Sequence, residues 1–286
     1  MMIEQKSYQA NGGTLYLVPT PIGNLEDITF RAIRVLQEAD LIAAEDTRQT
    51  RKLTTHFQIE TPLVSYHDHN KQQSGPELVK KLQEGRVVAL VSDAGMPGIS
   101  DPGEELAKQC ISQGIPVVAL PGANAALTTL VASGLSAKQF VFCGFLPKGK
   151  KERKDELERL NAFEETLLFY EAPHRISQTL QAIHDVFGER QVAIGRELTK
   201  KFEEYQRGTL SDAIEWVKTG TIKGEFCIAV SGREELVEEE SWWSALDEIQ
   251  HVDHYVTIGL AQKEAIKQVA KDRSVPKRDI YQLYHQ

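Results

Sequence analysis

The sequence predicts an α/β protein with two successive α/β domains and a small C-terminal helical extension, and three observations carry that prediction. Short apolar runs suited to strands, Thr14 to Val18, Leu41 to Ala44, Val87 to Val91 and Pro116 to Leu120, alternate with helical stretches in the first part of the chain. After a shift in composition near Phe145 the alternation resumes: strand Thr166 to Tyr170, helix His174 to Phe187, strand Gln191 to Arg196, helix Ser211 to Lys218, strand Glu225 to Val230. Beyond an acidic stretch holding Glu234, Glu235, Glu238, Glu239 and Glu240, the pattern is helical only. Domains are therefore expected at 1–121 and 122–233, with an acidic linker and helical tail over 234–286.

Composition narrows the functional classes. With 41% hydrophobic and 26% charged residues the chain reads as soluble and globular, and no run approaches the ~18 apolar residues of a membrane span. The start, MMIEQKSYQANGG, lacks the apolar core of a signal peptide, so a cytoplasmic protein is expected. Cys110, Cys143 and Cys227 are dispersed in apolar runs and read as buried thiols, not a disulfide set or a zinc site; no metal is expected. A net charge of -8 argues against wholesale coating of nucleic acid and leaves room only for local basic patches.

In chain order, the stretch from Thr14 to Arg48 is a βαβ unit with a helix from about Asp27 to Glu38. Pro19, Pro21 and Gly23 stand where a phosphate-binding turn would be, yet neither GxGxxG nor GxxxxGK[ST] is present. Glu45, Asp46, Thr47 and Arg48 end the second strand on the ligand side of the sheet. SYHDHN, Ser65 to Asn70, pairs two histidines with an acid but offers no third metal ligand, which leaves polar loop residues or substrate contacts. Ser74, Pro76 and Glu77 form a capping box for a helix to Glu84. The buried-looking strand Val87 to Val91 then runs into SDAGMPGISDPG. The loop from Ser92 to Ser100 is longer than a βα turn requires, which points to ligand binding. Asp101, Pro102 and Glu104 fit N-cap, first-turn and capping-box positions of the helix Glu104 to Ser112, so Asp101 reads first as a cap. In PGANAALTTL, Gly122 and Ala123 bring backbone to the crevice and Asn124 is an N-cap.

The segment LPKGKKERKDELERL gathers Lys148, Lys150, Lys151, Arg153 and Lys154, either as a solvated helix start or as a contact with RNA phosphates. YEAPHR and GRELTKKFEE place polar groups at strand ends, with Arg175 and Arg196 as anion binders or surface ion pairs. In the tail, helices are expected at Trp242 to His254 and Val256 to Asp272, then a turn and a further helix in SVPKRDIYQLYHQ. Its cations, among them Lys271, Lys277 and Arg278, suit a small helix-turn-helix RNA contact; dimer packing through Trp242 and Trp243 is the competing use.

Taken together, YLVPTPIGNLEDIT, AAEDTR, SYHDHN, VSDAGMPGISDPG, PGANAAL, YEAPHR and the basic tail resemble the tetrapyrrole methylase-like family of S-adenosylmethionine-dependent methyltransferases, over nearly the whole chain. The resemblance is strongest to members acting on ribosomal RNA. It implies a cofactor cleft between two α/β domains, a homodimer, and 2′-O-methylation of a cytidine in 16S rRNA at the decoding centre of the small ribosomal subunit. Members acting on tetrapyrroles or diphthamide carry a GGDP-like central loop, whereas this chain has SDAGMPGISDPG, a departure that favours RNA. The resemblance implies cofactor contacts at Pro21 and Gly23, and along Asp93, Ala94, Gly95, Pro97, Gly98, Ile99 and Ser100. It adds Gly122, Ala123 and Asn124, then Tyr170, Leu198 and Ala229 where the second domain closes over the adenosine. Methyl transfer to a ribose hydroxyl needs neither metal nor covalent intermediate but gains from a general base, for which Glu45, Asp46, His67 and Asp101 are the candidates. A small-molecule methyltransferase of the same fold and a non-catalytic RNA-binding assembly factor are the alternatives.

Overall fold

The computed structural model describes residues 4–6, 12–220, 222–233, 242–243 and 245–285. Two compact units are formed, Met1–Arg233 and Glu234–Gln286.

The first half of the larger unit is a parallel sheet of five strands, β1 (Leu15–Leu17), β2 (Leu41–Ala44), β3 (Leu63–Ser65), β4 (Val88–Val91) and β5 (Val117–Ala119), in the order β3-β2-β4-β1-β5. The central strand β4, VALV, is buried throughout because helices cover both faces of the sheet. Ala32, Val35 and Leu36 of α1 (Phe30–Glu38) pack with Ile42, Ala89 and Val91 on one face. On the other, Leu78 and Leu82 of α3 (Lys71–Gln83) join Leu106 and Cys110 of α4 (Glu104–Ser112) against Leu15 and Leu90. The helices following β1 and β4 thus lie on opposite faces. Adjacent strands of that kind leave a crevice at their C-terminal ends, the place where open α/β sheets hold ligands. There the two outgoing loops are tied by an antiparallel bridge, with Thr20 N donating to Gly95 O and Gly95 N to Thr20 O, both at 2.9 Å.

Four local expectations are corrected in this half. The first helix begins at Phe30, capped by Thr29, after a separate 3₁₀ turn at Leu25–Asp27. A helix that polar composition concealed, α2 (Thr47–His56), starts directly at the end of β2, with the Asp46 carboxylate accepting from Arg48 N at 2.8 Å as its cap. The helix expected to start at Ser74 instead runs from Lys71 through Pro76, because the Asn70 side chain ties the preceding loop by accepting from His67 N and donating to Ser65 O. Finally, Gly103, not Asp101, holds the N-cap of α4, and no side chain caps it.

The second half opens with α5 (Ala125–Ser133), for which Asn124 accepts from Leu127 N at 2.9 Å. Its sheet comprises β6 (Phe140–Phe145), β7 (Thr166–Glu171), β8 (Gln191–Arg196), β9 (Glu204–Thr209) and β10 (Phe226–Val230), in the order β6-β7-β10-β8-β9. Only β6 and β7 pair in parallel; the remaining pairs are antiparallel. The edge strands β6 and β9 escaped sequence reading because one merges into the basic segment and the other, EYQRGT, is polar. One face packs against α6 (Lys150–Leu160), α7 (Ile176–Phe187) and α8 (Leu210–Thr219). The other face carries Ala193, Cys227 and Ala229, whose small side chains let Ala126 and Leu130 of α5 come close. Ala229, expected to contact the cofactor, is buried beneath α5 and is not among the residues lining the cleft described below.

The smaller unit is three helices, α9 (Glu248–Thr257), α10 (Gln262–Asp272) and α11 (Lys277–Tyr284), around Val252, Ile266, Val269 and Ile280. The expected helix from Trp242 starts only at Glu248, where Asp247 and Gln250 form a capping box. Trp243 stacks on His251 at 5.2 Å and Trp242 meets it edge-on at 5.0 Å. The acidic stretch from Glu234 to Glu240 lies outside the described residues. Among the described residues no helix is long and apolar enough to cross a membrane. Cys110 and Cys227 are buried free thiols and Cys143 is a half-buried one.

Candidate functional site

The crevice above β1 and β4 is closed by the ends of β7, β8 and β10, forming a cleft of about 550 Å³. From the loop after β4 come Asp93, Ala94, Gly95, Ile99 and Ser100, and Asp101 lines the cleft beside them. Asn124 and Ala125 contribute the start of α5. The second sheet supplies Tyr170 and Glu171 at the end of β7, Ala172 to His174 after it, and Glu197, Leu198 and Lys200 after β8.

Three carboxylates line this side of the cleft, Glu45 and Asp93 at strand ends and Asp101 just before α4. Asp93 N donates to Glu45 Oε2 at 3.2 Å, and Asp46 N donates to Asp93 Oδ1 at 3.0 Å, so the ends of β2 and β4 clasp one another. Burial pushes the Glu45 and Asp93 carboxyls above their ordinary range. Asp101 is pushed furthest, to about 7, first by burial and then by the negative charge of Glu45, against a partial offset from the Ser92 hydroxyl. A carboxyl of that kind is half-ionised near neutral pH, where a proton acceptor works best.

The other base candidates are placed differently. Asp46 is bound by the Arg48 guanidinium at 3.1 and 2.7 Å, which holds it at about 2 while it caps α2. His67 sits in the loop after β3, outside the residues lining the cleft, with its Nδ1 buried and unpartnered. Aromatic rings cluster beside the cleft: Phe142 and Phe145 meet the Tyr170 ring edge-on at 5.1 and 5.7 Å, and Phe145 and Tyr170 line it. The Tyr170 hydroxyl accepts from Ala126 N at 3.3 Å, fixing the ring to the first turn of α5, and burial raises it to about 12.

Of the expected cofactor residues, Asp93, Ala94, Gly95, Ile99 and Ser100 line the cleft together with Asn124, Tyr170 and Leu198. Pro21, Gly23, Pro97, Gly98, Gly122 and Ala123 belong to the same loops but are not among the lining residues. Of the expected RNA contacts, Lys148, Lys150, Lys151, Lys154, Lys271, Lys277 and Arg278 are exposed. Arg153 is not: it is 3% exposed and its Nη1 reaches Gln178 Oε1 at 3.4 Å. It lies on the same stripe of α6 as Leu157 and Leu160, so helical periodicity turns it inward. Arg175 and Arg196 are likewise committed, the first to Glu171 and the carbonyls of Leu146 and Pro147, the second to Glu204 and Lys223 O.

Sequence reasoning missed Glu171, Glu197 and Lys200 as cleft residues, although each sits where a strand of the second sheet ends, the one signal that pointed to them. It also missed α2, which presents Arg48, Arg51 and Lys52 on its exposed side from the edge of the acid cluster.

Comparison with known proteins identifies the architecture. A family model described as Tetrapyrrole (Corrin/Porphyrin) Methylases matches residues 14–214. The chain belongs to this methylase family. Among its relatives, this methylase is 59% identical to the "Ribosomal RNA small subunit methyltransferase I" of Halalkalibacterium halodurans, over the full length of both chains. It is 55% identical to the protein of the same name from Bacillus subtilis, over 100% of this chain and 99% of that one. Solved methylase structures share the fold at low identity. A uroporphyrin-III-C-methyltransferase from Thermus thermophilus has a TM-score of 0.53 at 22% identity, covering 77% of this chain and 94% of that one. A diphthine synthase has a TM-score of 0.59 at 11% identity, covering 80% and 93%.

Proposed function

We propose that this methylase transfers a methyl group from S-adenosylmethionine to the ribose 2′-oxygen of a cytidine in 16S rRNA, at the decoding centre of the small ribosomal subunit. On this reading it is a cytoplasmic homodimer whose lobes, 1–121 and 122–233, share the cofactor cleft, with 234–286 as linker and RNA-contacting tail. The observation that carries the substrate is the end-to-end similarity to proteins named ribosomal RNA small subunit methyltransferase I.

The cleft suits the donor. Its volume falls within the range of ~300–1,000 Å³ common for cofactor sites. It is lined by six carboxylates, Glu45, Asp93, Asp101, Glu171, Glu197 and Glu225, complementary to a ligand bearing a sulfonium and an ammonium. The loop Asp93 to Ser100, Asn124, Tyr170 and Leu198 would hold it, with Pro21, Gly23, Gly122 and Ala123 shaping the same loops. When bound, the donor would supply an electrophilic methyl group whose carbon an oxygen nucleophile attacks in line, the carbon–sulfur bond breaking to release S-adenosylhomocysteine as a neutral thioether.

The chain's own part is to align the nucleophile and take its proton. Alignment can be worth roughly 7 to 11 kcal/mol. Asp101 accepts the 2′-hydroxyl proton at its carboxylate as the carbon–oxygen bond forms, then releases it to water. Base catalysis of this kind contributes about 10² to 10⁴-fold. Burial first, and then the charge of Glu45, keep Asp101 basic. Asp46 serves as a cap, not a base. Long-range attraction for rRNA comes from Lys148, Lys150, Lys151 and Lys154 on α6, Arg48, Arg51 and Lys52 on α2, and Lys271, Lys277 and Arg278 of the helical unit.

The test is transfer of label from S-adenosylmethionine to unmethylated small subunits, naked 16S rRNA or a tetrapyrrole precursor, assayed in parallel. Label recovered in an alkali-resistant ribose of the subunit is the expected result. Label in the tetrapyrrole alone, or in none of the three, overturns the reading.

A further inference from the structure

Among the described residues, Lys200 is the one ammonium lining a cleft that six carboxylates surround, and the backbone around it is shaped to put it there. Its loop, between β8 and β9, holds Glu197 at φ 48° and Thr199 at φ 66°, left-handed conformations that residues with side chains rarely adopt. The Lys200 stem lies across Gly23, where a Cβ would collide with the stem's Cγ and Cε. Gly224 makes the matching room for Glu197, whose carboxylate would collide with any Cβ there. Two bare glycines therefore make room for one ion pair, Lys200 Nζ to Glu197 Oε1 at 2.9 Å, in a loop that also holds its two left-handed residues. The pair is half-buried, with the Lys200 side chain 32% and the Glu197 side chain 22% accessible, and this much accommodation points to a role in function.

The hydrogen bonding indicates what that role is. Glu197 Oε1 also accepts from Glu225 N at 3.2 Å, so it keeps a partner when Lys200 turns away. The second contact of Lys200, to the exposed Glu225 carboxylate, is loose at 3.7 Å. A phosphodiester entering the cleft meets repulsion from the carboxylates, and among the described residues lining it Lys200 carries the ammonium that can offset that charge. We propose that Lys200 binds the backbone phosphate next to the target nucleotide and thereby positions the ribose, a role distinct from holding the methyl donor. The inference rests on the rRNA reading above.

The experiment compares wild type, Lys200→Met, which keeps the stem across Gly23 but removes the charge, and Lys200→Arg, in full-length protein. Each variant's thermal unfolding is measured first, and kinetics follow on unmethylated small subunits. Lys200→Met should raise KM for subunits about tenfold or more with a smaller effect on kcat, while the calorimetric Kd for S-adenosylmethionine stays within about twofold. The slope of log kcat/KM against log salt should become shallower by about 0.7 to 0.9, the loss of one phosphate contact. Lys200→Arg should restore most of the affinity. Glu225→Gln, which frees the ammonium, should lower KM. A parallel loss of donor affinity in Lys200→Met would reassign the lysine to the donor and overturn the proposal, as would an unchanged salt slope. Absence of label in subunits with wild-type protein would instead remove the rRNA reading, and this inference with it.

Discussion

Replacing Asp101 by Asn should stabilise the fold at alkaline pH while slowing methyl transfer. In the folded chain Asp101 titrates at about 7, against the ordinary carboxyl value of 3.8. Between those values the folded state retains a proton that the unfolded state has released, so stability falls as pH rises from about 4 to 7 and stays low above it. The shift of about 3 pK units corresponds to about 4 kcal/mol at about 1.36 kcal/mol per unit. Asn carries no charge to desolvate and forgoes that cost. The difference between variant and wild type should therefore be near zero at pH 4 and reach about 2 to 4 kcal/mol in favour of the variant at pH 8.5, read by urea unfolding at each pH. Over the same range, wild-type kcat/KM should climb to a plateau above pH 7 as the base ionises, and Asp101→Asn should lose about 10² to 10⁴-fold. A stability difference that does not change with pH would refute the burial argument. Transfer within tenfold of wild type would refute the role as base.

The same acid cluster should make S-adenosylmethionine bind more tightly as pH rises through 7, while the uncharged thioether of S-adenosylhomocysteine gains much less; equal pH dependence by calorimetry would show that the carboxylates do not face the sulfonium. Arg153→Ala should cost about 1 to 3 kcal/mol through lost packing on α6 and leave the salt slope of RNA binding unchanged. Lys148→Glu with Lys151→Glu should flatten that slope without altering stability. His67→Ala should change the transfer rate by less than about tenfold, since His67 lies outside the cleft lining; a loss on the scale of Asp101→Asn, about 10²-fold or more, would restore it as a base candidate.

Most of the frame was legible before folding, for a local reason. Strand runs such as Val88 to Val91 and helix stripes such as Leu106 and Cys110 carry their burial in spacing alone. The loop from Ser92 to Ser100 announced itself by its length, and Asn124 by cap chemistry that involves only three neighbouring residues. Where polar composition masked an element, as in α2 and β9, local reading failed, because packing against a sheet decided what propensity could not.

Read alone, the residues were enough to order two α/β lobes, to pick out the loops at the C-terminal ends of the strands, and to name the family. Only the tertiary structure decided what those loops meet. Asp101 has the composition of a helix cap yet turns into the cleft, where burial and Glu45 set its proton affinity. Arg153 sits in a basic run yet faces the core. Lys200 and Gly23 are far apart in sequence, and their contact exists only once the two sheets close on each other. Proton affinity, burial and charge pairing depend on neighbours in space, and those neighbours are chosen by the fold as a whole.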